Sequence, residues 1–103
     1  MSREGLHVPR EKLSRNSLNM HYAITSLIEE HVAVDWYRQR ADDCDDPELK
    51  AILLHNANEE IEHAAMALEW IRRNDAHFGK ELKEYLFTEG SLTHIEEQAE
   101  AKS

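Results

Sequence analysis

Two long stretches of this sequence, residues 13–43 and 47–74, contain no glycine and no proline after their first residue. Both are rich in alanine, leucine, glutamate and arginine, which favour helices, and each would form a helix about 40 Å long. Only an aspartate-rich connection separates them, with Asp46 placed as an N-cap and Pro47 as the first helical residue. Because the connection is short, we expect an antiparallel two-helix hairpin.

The sequence after this hairpin predicts shorter elements. Residues 78–87 indicate a short helix that ends near Gly90, and residues 92–101 form a polar, acidic segment that is either helical or frayed. No segment shows the alternation that is typical of a strand. The sequence therefore predicts an all-α chain, a helical hairpin followed by a short C-terminal helix.

Length and composition limit the functional classes. A chain of 103 residues predicts one domain, residues 1–103, and we expect flexible ends at 1–12 and 98–103. The net charge of -9 argues against nucleic acid as a partner, and the longest aliphatic run, residues 51–54, is too short to span a membrane. A cytoplasmic protein is expected, because the N-terminus lacks the apolar core of a signal peptide and Cys44 is the only cysteine.

Each long helix has a stripe of mostly apolar residues spaced alternately three and four apart, with an acid at its centre. On the first helix the stripe consists of Met20, Ala23, Leu27, Glu30, Val34, Tyr37 and Ala41. On the second helix it consists of Leu49, Leu53, Asn56, Glu60, His63, Ala67 and Trp70. A wholly apolar stripe lies beside it, and we expect both to be buried: Leu54, Ala57, Ile61, Ala64, Leu68 and Ile71. An unpaired carboxylate in such a stripe costs several kcal/mol, so Glu30 and Glu60 need a partner.

The motif Glu60-x-x-His63 indicates a metal ion as that partner. Residues three apart on a helix are neighbours, so both side chains can reach one ion, and their carboxylate and imidazole groups suit iron, manganese or zinc. Di-iron bundles use a glutamate from each of two helices and a Glu-x-x-His from each of two others. One chain, with Glu30, Glu60 and His63, supplies half of this set. Two copies related by a two-fold axis would complete it in a four-helix bundle.

Two alternatives remain at this point. Glu-x-x-His occurs on many helices by chance, and a buried glutamate–histidine pair could instead fix the register of a metal-free helical assembly or cargo adaptor. The same ligands also suit another di-metal enzyme of the ferritin-like class, one that uses manganese or reduces peroxide.

The chain also resembles encapsulated ferritins in order and spacing over residues 13–97. The segments that resemble the family are residues 28–30, 33–37, 46–49, 51–53, 59–60, 62–66, 68–70, 72–75 and 85–90. The resemblance implies a ferritin-like hairpin that dimerises into a four-helix bundle, with the dimers arranged in a ring-shaped decamer.

The resemblance also implies a function and a location. Members of the family are ferroxidases that oxidise Fe(II) to Fe(III) at a di-iron centre across a subunit interface. Here the ligands would be Glu30, Glu60 and His63 from each of two chains, with Tyr37 close to the centre as a further catalytic residue. Zinc, manganese or calcium are expected substitutes for iron in crystals. The expected location is the cytoplasm, inside an encapsulin nanocompartment whose shell protein is the partner and in which the iron is stored.

The sequence departs from the family pattern at two places. In the family, a second, outer metal site is made from two acids three residues apart, near a tryptophan. The first acid corresponds to Glu29 and the tryptophan to Trp36, but Val32 stands at the position of the second acid. His31 is the candidate substitute, giving Glu29, Trp36 and His31 as a possible outer site. Family members also have a C-terminal peptide that targets the shell, which residues 99–103 do not resemble, so we expect the natural protein to continue further.

Overall fold

The computed structural model describes residues 5–102. A short 3-10 helix, Arg10–Lys12, precedes four α-helices. These are α1 (Arg15–Asp43), α2 (Pro47–Asn74), α3 (Ala76–Tyr85) and α4 (Leu92–Lys102). No strand occurs within residues 5–102, so the all-α prediction is confirmed. None of the helices in this range is long and apolar enough to cross a bilayer.

Side-chain caps stabilise the N-terminal ends of α1 and α2. The Ser14 side chain accepts a hydrogen bond of 3.0 Å from the backbone N–H of Ser17, so α1 begins two residues later than predicted. At the turn, Asp46 Oδ1 accepts a 2.9 Å hydrogen bond from the backbone N–H of Leu49. Pro47 is the first residue of α2, as the sequence predicts.

The two arms of the hairpin have equal lengths as measured from the turn to the central acids. Glu30 lies thirteen residues before Asp43, and Glu60 lies thirteen residues after Pro47. At 1.5 Å per residue both acids are about 20 Å from the turn, and therefore at the same height in an antiparallel pair. Residues of both helices line one groove, which confirms the predicted hairpin.

The chain divides into two compact units, residues 1–68 and 69–103. The first contains α1 and most of α2, and it holds every predicted metal ligand. Residues 1–4 and 103 lie outside the described range, so the expected flexibility of 1–12 and 98–103 stays a prediction. Within the described range, residues 10–12 form the 3-10 helix and residues 98–102 belong to α4.

In the second unit, α3 and α4 pack against each other. Asp75 caps α3 by accepting a 2.8 Å hydrogen bond from the backbone N–H of Phe78, so this helix begins two residues before the predicted start. It ends before Phe87, whose φ of 60° lies in the left-handed region, which a helix cannot continue through. The segment that the sequence left as helical or frayed is helical, as α4.

Burial tests the predicted stripes. All seven residues of the α1 stripe are buried or half-buried, which confirms it. On α2 a single chain leaves parts of both stripes exposed, so the prediction that both are buried is not met within one chain. The buried or half-buried side alternates between members of the two stripes, while Leu49 and Ile61 are 48% and 40% exposed. The stripe residues on this side are Leu53, Asn56, Ala57, Glu60, Ala64, Ala67, Leu68 and Ile71. The physical reason is that a single neighbouring helix covers only one face of α2.

Candidate metal centre

The three predicted ligands lie at mid-helix positions within the first unit. Glu30 is half-buried in the stripe of α1. Glu60 is half-buried on α2, between Ala57 and Ala64 of its buried side. His63 lies one turn further along α2 than Glu60 and is more exposed. Because the arms of the hairpin are equal, the three side chains lie at similar heights on two adjacent helices.

Glu60 and His63 form a pair. His63 Nδ1 lies 3.7 Å from Glu60 Oε2, which is the neighbour relation that their three-residue spacing predicts. The side chains are 28% exposed for Glu60 and 45% exposed for His63. The pair therefore lies at the boundary between the helix interface and the surface, where its donor atoms can be reached from outside the chain.

Glu30 has a buried oxygen without a partner. Oε2 of this carboxylate is inaccessible to solvent and makes no hydrogen bond within the described part of the chain. Burial is the main reason that the pKa of Glu30 is raised above 4.5, and the negative charges of Glu60 and Glu29 raise the pKa further. The positive charges of His63 and His31 act in the opposite direction. A buried acceptor without a donor costs about 1–3 kcal/mol, so this oxygen needs a ligand or a proton.

The donor types of Glu30, Glu60 and His63 suit a transition-metal ion. Carboxylate and imidazole donors suit iron, manganese and zinc, and the buried oxygen of Glu30 lacks only a positively charged or donating partner. Within residues 5–102 of one chain, no three histidine, cysteine, aspartate or glutamate side chains converge closely enough to hold a metal ion. Glu30, Glu60 and His63 of one chain are thus an incomplete ligand set.

Tyr37 shares the stripe of Glu30 and is half-buried, seven residues further along α1. The guanidinium carbon of Arg40 lies 5.6 Å from the centre of its ring, an arrangement that places a positive charge over the aromatic face. Two helical turns, about 10 Å, separate Tyr37 from Glu30 along the axis. Tyr37 is therefore a neighbour of the acidic centre rather than a member of the ligand group.

The structure does not bring His31 together with Glu29 and Trp36. Glu29 and Trp36 lie on one exposed face of α1, and Trp36 is 55% exposed. Successive residues turn by about 100°, so His31 points about 140–160° away from both. Its Nδ1 donates a 2.8 Å hydrogen bond to the backbone oxygen of Leu27. Within one chain His31 therefore does not face Glu29 and Trp36, and the possible outer site stays a prediction.

His31 instead lines a groove of about 360 Å³ between α1 and α2. The residues that line it are His31, Val34, Asp35, Arg38, Ile61 and Ala64. Asp35 lines the same groove four residues after His31 and is not among the site residues predicted from the sequence. The signal was present as His31-x-x-x-Asp35, because residues four apart share one face of a helix.

Exposed apolar side chains occur at intervals along the face of α2 that carries His63. Leu49, Ile52 and Met66 are 48%, 51% and 58% exposed, and their spacing places them on the same helical face as His63. A large apolar surface on a soluble helix is typical of a protein–protein interface.

The model of the EncFtn-like family matches residues 5–89, which include α1, α2 and α3. The chain belongs to the EncFtn-like family. Within this family match lie all the candidate ligands, Glu30, Glu60 and His63, while α4 follows it.

Known relatives agree with the family match. This EncFtn-like chain is 57% identical over 95 residues to a Rhodospirillum rubrum protein named encapsulated ferritin-like protein, covering 92% of this chain and 68% of the relative. It is 43% identical over 97 residues to a ferritin-like protein of Thermotoga maritima, covering 94% of this chain and 85% of the relative.

A solved structure supports the fold of the EncFtn-like chain. The crystal structure of a Nitrosomonas europaea protein is similar with a TM-score of 0.83 and 58% sequence identity, covering 85% of this chain and 97% of that one. Together with the helices described above, this similarity identifies a ferritin-like helical fold.

Proposed function

We propose that this chain is a ferroxidase, which oxidises Fe(II) to Fe(III) at a di-iron centre formed across a subunit interface. The observation that supports this proposal most is the buried oxygen of Glu30, which lacks a partner within the described chain and lies near Glu60 and His63. Such a group destabilises a chain unless something binds it, and a multiply charged cation is the strongest partner for a carboxylate.

A second copy would complete the site. Two chains related by a two-fold axis would provide four glutamates and two histidines, the ligand number of di-iron bundles. The exposed side chains of Leu49, Ile52 and Met66, on the same face of α2 as His63, support a partner helix on this side of α2. The proposed functional unit is therefore a dimer, and the proposed assembly is a ring-shaped decamer built from such dimers.

The chemistry of the donors suits iron oxidation. Glu30 and Glu60 supply negative oxygen ligands, which stabilise Fe(III) relative to Fe(II) because hard anionic oxygen prefers the more highly charged ion. Each Fe(II) loses one electron, which dioxygen accepts. Since burial raises the pKa of Glu30, its carboxyl group retains a proton more readily than an ordinary glutamate and releases it when Fe(II) binds.

The proposed location is inside an encapsulin shell in the cytoplasm, with the shell protein as partner and the oxidised iron stored within the shell. The name of the Rhodospirillum rubrum relative supports this location. Coexpression with the encapsulin of the same organism, followed by purification of intact shells, tests it. Exclusion of the full natural chain from the shells would contradict it.

Oxygen consumption after addition of Fe(II) in air tests the activity. We expect Glu30→Ala, Glu60→Ala and His63→Ala each to abolish most of the turnover, because each removes a ligand twice from a symmetric centre. Glu62→Ala is the matched control, since Glu62 is an exposed glutamate on the same helix. Full activity in all three ligand variants would falsify the site assignment.

The position of the ions tests the shared centre separately. Anomalous scattering at the iron edge from crystals soaked in Fe(II) should show two ions on or beside a two-fold axis between chains. Ions bound within a single chain would contradict the subunit-bridging centre. Iron oxidation by peroxide but not by dioxygen would indicate a peroxide-reducing enzyme instead, and assembly without any bound metal would indicate a structural or adaptor protein.

A further inference from the structure

The hairpin of α1 and α2 has a second open face, opposite to the ligand face, which carries His63. The centre of this groove face is the groove of about 360 Å³ between the two helices, which none of Glu30, Glu60 and His63 lines. Ile61 forms part of the groove and lies about 160° around α2 from His63. A partner that covers His63 therefore leaves the groove face open.

The wholly apolar stripe of α2, which the candidate metal centre does not use, runs along the groove face. Leu54 and Ile61 are 42% and 40% exposed there. The three glutamates in this part of α2, Glu59, Glu60 and Glu62, lie at other angles around the helix. Between residues 54 and 68 the positions on this side of α2 are all uncharged: Leu54, Ala57, Ile61, Ala64, Ala65 and Leu68. An exposed apolar surface of this kind is typical of a protein–protein interface.

The α1 wall of the groove offers one charge of each sign. Arg38 makes no hydrogen bond or ion pair with any residue in the described range 5–102. Asp35 Oδ2 accepts a 2.9 Å hydrogen bond from the Gln39 side chain, so a neutral amide is its partner. Asp35 and Arg38 both line the groove, where their charges cancel, whereas the whole chain has a net charge of -9. Two copies that repel each other elsewhere can therefore approach along this face.

We propose that a second copy of this chain packs on the groove face around a two-fold axis. A two-fold interface brings the same surface together from both sides, so two antiparallel α1 helices place Asp35 of each copy beside Arg38 of the other. Each chain then meets one copy through its ligand face and another through its groove face. Alternation of two such interfaces builds rings with an even number of copies. This inference rests on the proposed function only in assigning the ligand face to a different dimer.

Leu54 lies at the same height in the hairpin as this charge pair. It is seven residues after Pro47, while Arg38 and Asp35 are five and eight residues before Asp43. The axis that pairs the charges therefore also brings Leu54 of one copy close to Leu54 of the other. The apolar stripe that a single chain leaves exposed would be covered in this way.

The size of the groove face matches a small specific interface. Helix α1 and residues 47–68 of α2 present a surface about 30 Å long and about 20 Å wide. This is about 600 Å² per copy, or about 1,200 Å² in total, which is the lower limit for specific protein interfaces. One charged substitution at its centre should therefore be sufficient to break it.

Sedimentation velocity of the full chain, with Fe(II) under anaerobic conditions so that the ligand dimer can form, tests the interface. We expect the wild type to form a species larger than a dimer. Leu54→Glu and Ile61→Glu should each stop at the dimer, with an unchanged helical circular dichroism spectrum. The matched control His55→Glu adds a glutamate to a 70% exposed position on another side of α2, and it should assemble as the wild type does.

Exchange of the charges tests the two-fold register. Arg38→Asp and Asp35→Arg should each weaken association through the groove face by at least about tenfold, because each places like charges together on both sides of the axis. The double variant that exchanges the two residues should restore assembly. A double variant that assembles no better than the single variants would refute the register.

Unchanged assembly in both Leu54→Glu and Ile61→Glu would overturn the proposal, as would a wild type that stops at the dimer. If that dimer enters encapsulin shells and its Leu54→Glu variant does not, the shell protein is the occupant of the groove face instead. Because the ligand dimer holds the complete ligand set, Leu54→Glu should oxidise iron at the wild-type rate. Loss of oxidation together with assembly would place the groove inside the ligand dimer and overturn the separate interface. The ferroxidase proposal fails by a different result, which is unchanged oxygen consumption in the Glu30, Glu60 and His63 variants.

Discussion

Glu30→Gln should stabilise the metal-free protein and inactivate it at the same time. Glutamine has nearly the same shape as glutamate, so the packing of the α1 stripe is retained. The substitution removes the negative charge of Glu30, whose ionisation is disfavoured by burial and by the nearby negative charge of Glu60. A residue that serves only to pair the helices would show the opposite change in stability, so the sign of the effect separates a binding role from a structural one.

The size of the effect follows from the buried oxygen. The pKa of Glu30 is raised in the folded chain, so its contribution to stability is fully present below pH 4.5 and is lost as the pH rises through the folded pKa. A buried polar group without a partner costs about 1–3 kcal/mol, and the low end applies because glutamine removes the buried negative charge but still leaves a polar atom at the position of Oε2. We therefore expect Glu30→Gln to be about 1 kcal/mol more stable at neutral pH, which raises the Tm by about 4–8 °C.

Thermal unfolding by circular dichroism, with a chelator present and at one protein concentration, measures this difference at pH 4 and pH 7.5. The stabilisation should be larger at pH 7.5, where the wild-type carboxylate is ionised. Glu29→Gln is the control, because Glu29 is an exposed neighbour on the same helix and should change stability by less than about 0.5 kcal/mol. A lower Tm for Glu30→Gln, or full retention of iron oxidation, would refute the reasoning.

Three further predictions concern the hairpin, the centre and the end of α2. Asp46→Ala should lower the free energy of unfolding, measured by chemical denaturation, by about 1 kcal/mol, because the backbone N–H of Leu49 loses its acceptor. An unchanged free energy of unfolding would contradict this capping role. Tyr37→Phe should leave the Tm unchanged and slow iron oxidation about tenfold, while an unchanged rate would remove Tyr37 from the catalytic residues. Glu69 accepts hydrogen bonds of 2.6 and 2.7 Å from Arg72 and 2.7 Å from Arg73, which lower its pKa to about 2. The stabilising effect of the ionised Glu69 is present above pH 4.5 and is lost as the pH falls towards 2. The difference in stability between Glu69→Gln and the wild type should therefore shrink over that range. A constant difference would contradict a stabilising effect of the ionised carboxylate.

Local signals in the sequence were sufficient to predict the hairpin. Asp46 and Pro47 mark the start of α2 by capping chemistry, which depends on neighbouring residues alone. The start of α3 was placed too late because the capping role of Asp75 was not used, although the residue type was visible. The sequence therefore contains the information needed to place the start of α3, because Asp75 is a typical N-cap residue.

The buried face of α2 could not be predicted in the same way. Its two candidate stripes are adjacent on the helix and similar in composition, and the choice between them depends on where α1 packs. Glu60 was placed correctly because it lies at the border of both stripes, whereas Leu49 and Ile61 remain exposed in one chain. The role expected for His31 rests on a family position alone and stays a prediction, since its angle on α1 separates it from Glu29 within one chain.

The equal arms of the hairpin determine which insertions the protein can tolerate. Residues added within 44–46 lengthen the turn but leave both acids at equal distances from the ends of their helices. A single residue inserted between Glu30 and Asp43 would move that acid about 1.5 Å along its helix and rotate it by about 100° relative to Glu60. Variation in length should therefore accumulate in the turn, while the thirteen-residue arms remain constant in any functional variant.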